Sequence, residues 1–142
     1  MAYLVFDQRY DNLSLRPGYP QRVLNIPTIT TGYNQQIKFD SMINVELSLG
    51  IGSDYILVMY LALIESNQTS RQVITELFVR KVNTHVVTVP LSFTINFPIN
   101  LNWVHLVSSG SHNYYIEMNV GEAGNLSNVK VGYRSLSALV LP

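Results

Sequence analysis

The chain has no cysteine, which removes disulfides, thiolate metal ligands and cysteine nucleophiles together. It is also short of charge. Asp, Glu, Lys and Arg make up 13% of its 142 residues, roughly half the usual quarter, and the lysines are only Lys38, Lys81 and Lys130. Nine basic residues balance nine acidic ones, and no window gathers basic residues. The electrostatic footprint for nucleic acid or an anionic membrane is therefore missing. Long apolar runs are missing too. The longest, Tyr55 to Ile64, is half of the roughly 20 residues that a spanning helix requires, so no membrane insertion is expected. Met1 to Asp7 has neither the basic start nor the apolar stretch of a signal peptide. The expectation is a soluble chain that reaches the outside, if it does, on a particle or after losing a leader.

What is present is apolar content, 47%, arranged with period two. From Ile37 to Leu49 the odd positions are Ile37, Phe39, Ser41, Ile43, Val45, Leu47 and Leu49, and the even ones are mostly polar. That is the pattern of a half-buried strand. Val87 to Phe97 alternates in the same way, with Pro90 predicting an edge strand or a break. Further strands are expected at Val23 to Thr30, held to an edge by Pro27, and at Gln72 to Val82, Trp103 to Val107, Tyr114 to Val120 and Val129 to Leu141. Turn residues at 108–113 predict a hairpin between the two strands that flank them. Loops are expected at 16–20, 50–54, 66–70 and 121–125. No window carries a helical stripe. About eight strands with regular turn signals predict an all-β, two-sheet antiparallel sandwich of the jelly-roll kind, one domain over 1–142.

One strand breaks the alternation. Tyr55 to Ile64 is apolar on both faces, whereas one face of an antiparallel sandwich normally meets water. Its outer side must be covered, either by a loop or the N-terminal segment of the same chain, or by a subunit interface through Ile56, Val58 and Tyr60. The low charge favours the second, because a surface poor in charge is cheaply covered by another copy.

Two segments carry a resemblance. Ser135-Leu136-Ser137-Ala138-Leu139-Val140-Leu141-Pro142 resembles the closing strand of C1q-like domains, and Asp54-Tyr55-Ile56-Leu57-Val58-Met59-Tyr60 is similar to their Gly-x-Tyr-x-aliphatic strand, with Ser53-Asp54 where the glycine would stand. These domains and their tumour-necrosis-factor-like relatives are jelly rolls that assemble as homotrimers around an apolar, aromatic axis. The resemblance implies a trimeric head that binds a partner or caps a fibre, as on spores and phage fibres. It carries over no functional residue.

The search for chemistry yields little. His85, His105 and His112 form no zinc-type pair. His105 is expected in the core or an interface, His112 exposed in its turn, and His85 peripheral. Glu46 and Glu117 could oppose one another as a glycosidase pair, although cross-strand polar pairing explains both. Asp7 to Asn12 is the nearest approach to a calcium loop. No catalytic, metal or cofactor site is expected, and the chain is not expected to be an enzyme. Tyr10, Tyr19, Tyr33 and Trp103 are the candidate ligand-binding residues, since aromatic faces stack on sugar rings, while ordinary packing accounts for most tyrosines in sheets.

Two functions follow from these observations. One is a non-enzymatic, homotrimeric structural or adhesive head on a spore, virion or fibre, or outside the cell, meeting a cell-surface receptor or glycan. The other is a carbohydrate-binding module of lectin-like sandwich form.

Overall fold

A computed structural model describes residues 2–49, 54–67, 69–83 and 93–142, with Phe93 described by its backbone alone. Residues 50–53 of the loop expected at 50–54, His85, and the strand expected from Val87 as far as Ser92, Pro90 included, lie outside the described residues.

The strands are β1 (Tyr3–Arg9), β2 (Leu13–Ser14), β3 (Gln21–Asn25), β4 (Ile29–Thr31), β5 (Gln36–Leu49), β6 (Tyr55–Ser66), β7 (Arg71–Asn83), β8 (Phe93–Leu106), β9 (Gly110–Gly124) and β10 (Leu126–Leu141). One sheet has the order β1-β10-β5-β8, with β2 beside β10. The other has the order β3-β9-β6-β7, with β4 beside β9. Every pairing is antiparallel. Among the long strands, only β6 and β7 are chain neighbours that also pair. Every other step from one long strand to the next, β5 to β6 and then β7 to β8, β8 to β9 and β9 to β10, crosses from one sheet to the other, and that crossing pattern is the jelly roll.

The core is the space between the two inner faces. Ile37, Phe39, Ile43, Val45 and Leu47 of β5 and Leu57, Met59, Leu61 and Leu63 of β6 are all fully buried. Each such side chain contributes about 1.5–3 kcal/mol by leaving water. The period-two pattern of β5 thus translates directly into an inner and an outer face.

Two expectations need correction. The turn at 108–113 does not close a hairpin, because β8 pairs with β5 while β9 pairs with β6. Ser108, Ser109 and Gly110, the last at φ 137°, carry the chain over the end of the sandwich. Turn residues announce a reversal of direction, and in a two-sheet fold the reversal can equally change sheets. The loop expected at 121–125 shrinks to a turn at Asn125 (φ 61°), with β9 extended to Gly124.

Bulges adjust the register in β10. Val129 and Val131 face inward, and after the shift between Val131 and Arg134 the inward set becomes Arg134, Leu136, Ala138 and Val140. Arg134 is therefore a buried cation, 4% exposed. Its guanidinium donates to the carbonyls of Val23 and Asp11 at 2.7 Å each and to that of Gly132 at 2.9 Å, with the Asp11 carboxylate at 3.4 Å. Since Val23 belongs to β3, this side chain ties the two sheets together.

Candidate functional site

β6 has two apolar faces that meet different surroundings. On the outer side, Ala62 and Ile64 are buried with Tyr115 of β9. Arg22 of β3 lies over the Tyr115 ring at 3.8 Å, and Arg71 of β7 donates to the Tyr115 hydroxyl at 3.3 Å and to Glu117 at 2.6 Å. Amphipathic arginine stems roof this half of the face.

Among the described residues the other half has no such roof. Ile56 and Val58 are half-buried, and Tyr60 is 37% exposed. Register places Val82 beside Ile56 and Phe78 beside Tyr60. Both β7 residues are exposed, and the Tyr60 and Phe78 rings meet at 5.3 Å. Gly124 of β9 stands opposite Ile56. A Cβ there would come within 2.8 Å of Ile56 Cγ2, so the glycine lets the isoleucine lie low across β9. The product is a flat apolar stripe of Ile56, Val58, Tyr60, Phe78 and Val82, crossed by the row Arg80, Val58, Glu122.

A second feature lies at the end of the sandwich where β6 and β8 finish and β9 begins. A cleft of about 330 Å³ is lined there by Glu65, Asn67, Gln72, His105, Ser108 and His112, among others. Glu65 stands between two imidazoles, with Oε1 2.5 Å from His112 Nδ1 and Oε2 3.7 Å from His105 Nε2. His112 Nε2 is 2.9 Å from the Ser108 carbonyl and 3.1 Å from Thr31 Oγ1. The ring is thus held at both nitrogens, by the Glu65 carboxylate on one side and by Thr31 and the Ser108 carbonyl on the other.

His112 is thus not the exposed turn residue expected from sequence. It is 8% exposed, because β9 begins at Gly110 and already turns this position inward. His105 is half-buried in β8. Burial pushes its pKa down, Glu65 pulls partly the other way, and His112 adds to the lowering.

Thr31, His112 and Glu65 have the connectivity of a nucleophile, a base and an orienting carboxylate. Thr31 is 5% exposed and its hydroxyl donates to the Ser108 carbonyl at 2.7 Å, while His112 Nε2 also serves that carbonyl. The Thr31 hydroxyl and Nε2 thus meet at one carbonyl. Among the described residues no group of three His, Cys, Asp or Glu side chains is placed to hold a metal ion.

The expected carboxylate pair separates. Glu46 lies on β5 against Lys130 at 2.9 Å, and Glu117 lies on β9 in the other sheet against Arg71. Asp7 accepts from Arg9 and from the Asn25 backbone, and Asp11 is drawn to Arg134, so the Asp7–Asn12 segment does not converge on a cation.

The four candidate aromatic residues are exposed but dispersed. Tyr10 packs on Tyr133 with centroids 5.3 Å apart. Tyr19 lies under Arg16, in a loop whose Gly18 bonds to Val120. Tyr33 precedes β5 at the opposite end, and Trp103 sits on edge strand β8 beside Lys38. They form no common stacking platform. The Glu65, His105 and His112 cluster escaped sequence reasoning because its members come from three strands in two different sheets. Its one advance signal was the placement of a histidine next to a strand start.

Fold and surfaces together define a jelly-roll β-sandwich that, among the described residues, exposes an apolar stripe on the outer face of β6 and β7. No protein-family model and no curated protein sequence matches the chain. Among solved structures, it is similar to a polypeptide of infectious bursal disease virus, Gx strain, at 13% identity and a TM-score of 0.38, covering 98% of this chain and 33% of that one. The Gt strain gives 13% identity and a TM-score of 0.39, covering 99% and 32%. The T13 viral particle of the same virus gives 11% and 0.29, covering 98% and 35%. The chain spans about a third of the length of the polypeptides it matches.

Proposed function

We propose that this chain is a non-enzymatic structural or adhesive module, one domain over 1–142, that assembles with its own copies into a homotrimeric head on a particle surface such as a spore, virion or fibre. The observation that carries this reading is the stripe on the outer face of β6. Ile56, Val58 and Tyr60, with Phe78 and Val82, present apolar area in a contiguous patch, and such patches on charge-poor surfaces mark association sites. Another copy is the occupant that suits it, because the stripe is nearly neutral, flanked by one arginine and one glutamate in register.

Trimeric order follows the similarity of Ser135–Pro142 and of Asp54–Tyr60 to C1q- and tumour-necrosis-factor-like heads. The first of these segments lies in β10 and the second enters β6. A cell-surface receptor or a glycan would be met by the exposed loops and the tyrosines at their tips. The aromatic dispersion weighs against a dedicated carbohydrate-binding module.

Size-exclusion chromatography with light scattering tests this. Three copies of the 16.0 kDa chain give about 48 kDa, the expected mass. A mass of one chain at micromolar concentration overturns self-assembly, and a mass of two chains overturns the trimer.

A further inference from the structure

We propose that Glu65, His105 and His112 form a proton-sensitive latch that holds the two sheets together at one end of the sandwich and loosens as the medium becomes acidic. Glu65 and His112 belong to the β3-β9-β6-β7 sheet, while His105 belongs to β8 of the other sheet. The carboxylate therefore spans the gap between layers, with one oxygen on each imidazole. Behind it, His112 and Thr31 both reach the Ser108 carbonyl, and the Val107 backbone donates to the Gln35 carbonyl at 3.3 Å. These contacts pin the crossing from β8 to β9.

The charge balance makes the latch sensitive. A single carboxylate faces both imidazoles, so with both rings protonated the cluster would carry a net positive charge. Among the described residues, the titratable or charged groups facing His105 are Glu65 of β6 and His112 and Tyr114 of β9. Its register partner on β5 is Ile37, which is uncharged. One carboxylate thus serves two imidazoles. Opening the crossing lets His105 take up its proton in water, where the charge is solvated.

The sign follows from burial. In the closed form the pKa of His105 lies below its ordinary value, and in the opened form it returns to about 6.5. The opened form therefore binds more protons, and the opening equilibrium grows as pH falls below about 6.5. For one proton the growth is at most about tenfold per pH unit, ending at the closed-state pKa.

Hydrogen exchange of backbone amides in 104–113 is the test, measured from pH 7.5 to 5 and corrected for the intrinsic pH dependence of exchange. In the intact protein the corrected opening should rise severalfold below pH 6.5, confined to that segment and the facing end of β6. His105→Gln, which keeps a hydrogen-bonding side chain without a titrating ring, should remove the rise, and His85→Gln should retain it. A flat profile in the intact protein, an unchanged rise in His105→Gln, or loss of the rise in His85→Gln overturns the latch. Titration of the imidazole resonances gives a check that needs no variant. A His105 midpoint below 6.5 supports the latch, and one at or above 6.5 overturns it.

Discussion

The Tyr60 and Phe78 rings, 5.3 Å apart with planes inclined at 55°, form a cross-strand pair on the outer face of a sheet, where a sandwich usually meets water with polar side chains. Such a pair is worth only fractions of a kcal/mol to a protomer. Tyr60→Glu separates the possibilities. In a lone protomer, the partly exposed glutamate would cost about 1 kcal/mol or less. In an assembly that covers the stripe, it would bury an unpaired charge costing several kcal/mol. The expected outcome is a folded variant whose light-scattering mass drops to one chain, or loss of soluble protein. A soluble variant with the parent's mass removes the stripe from the interface.

Arg134 supplies a stability test independent of assembly. Its guanidinium satisfies three backbone carbonyls while almost wholly buried. Arg134→Met fills similar space but leaves those acceptors without their donor. A loss of about 3–5 kcal/mol is expected, read as a lower denaturant midpoint at unchanged slope. Arg134→Lys should recover only part of it, because an ammonium cannot reproduce the planar fork. A loss below about 1 kcal/mol for Arg134→Met would show that the cross-sheet tie is not significant.

How much of this was legible in sequence depends on the range of the physics involved. The faces of β5 were readable because alternation is local, and the inner set from Ile37 to Leu49 is the set the pattern named. The two-sided character of β6 was also readable, but what lies over it was not, since the roof comes from Arg22 and Arg71 on other strands. The turn at Ser108 to Gly110 was seen as a turn and misjudged as a hairpin, because composition does not encode which sheet comes next. Arg134 was hidden by the bulge at Gly132 and Tyr133, which shifts an apparently outward position to the inside. Glu65, His105 and His112 meet only through the jelly-roll crossings, and no local pattern reports such a meeting.

Stability should depend on pH through His105. Its folded-state pKa is lowered mainly by burial, so the unfolded chain binds more protons below about 6.5. Stability is therefore expected to fall as pH decreases from about 6.5 toward the folded-state pKa, with little change from this group above 7. Denaturant unfolding at pH 7.5, 6.5 and 5.5 measures the slope. His105→Gln should flatten it relative to the parent, leaving the contribution of the carboxylates at lower pH. Equal slopes in the two proteins would show that His105 does not titrate differently on folding.

Tyr114 makes the opposite kind of prediction, a deletion that stabilises. The side chain packs against Phe39 with centroids 4.8 Å apart and is 1% exposed, yet its buried hydroxyl has no hydrogen-bond partner among the described residues. A buried hydroxyl left unpaired costs about 1–3 kcal/mol, most of which the ring's own packing offsets. Tyr114→Phe keeps the ring and removes the hydroxyl, so a gain of about 1 kcal/mol is expected at neutral pH. The alkaline limb should change as well. Burial, with a smaller contribution from Glu65, raises the Tyr114 pKa, so above about 10 the unfolded chain releases a proton that the folded one keeps, and stability falls with rising pH. Thermal unfolding at pH 7 and pH 10.5 should show the variant more stable at both, with the larger gap at the higher pH. A variant less stable at pH 7 would mean that the hydroxyl has a partner worth more than its desolvation.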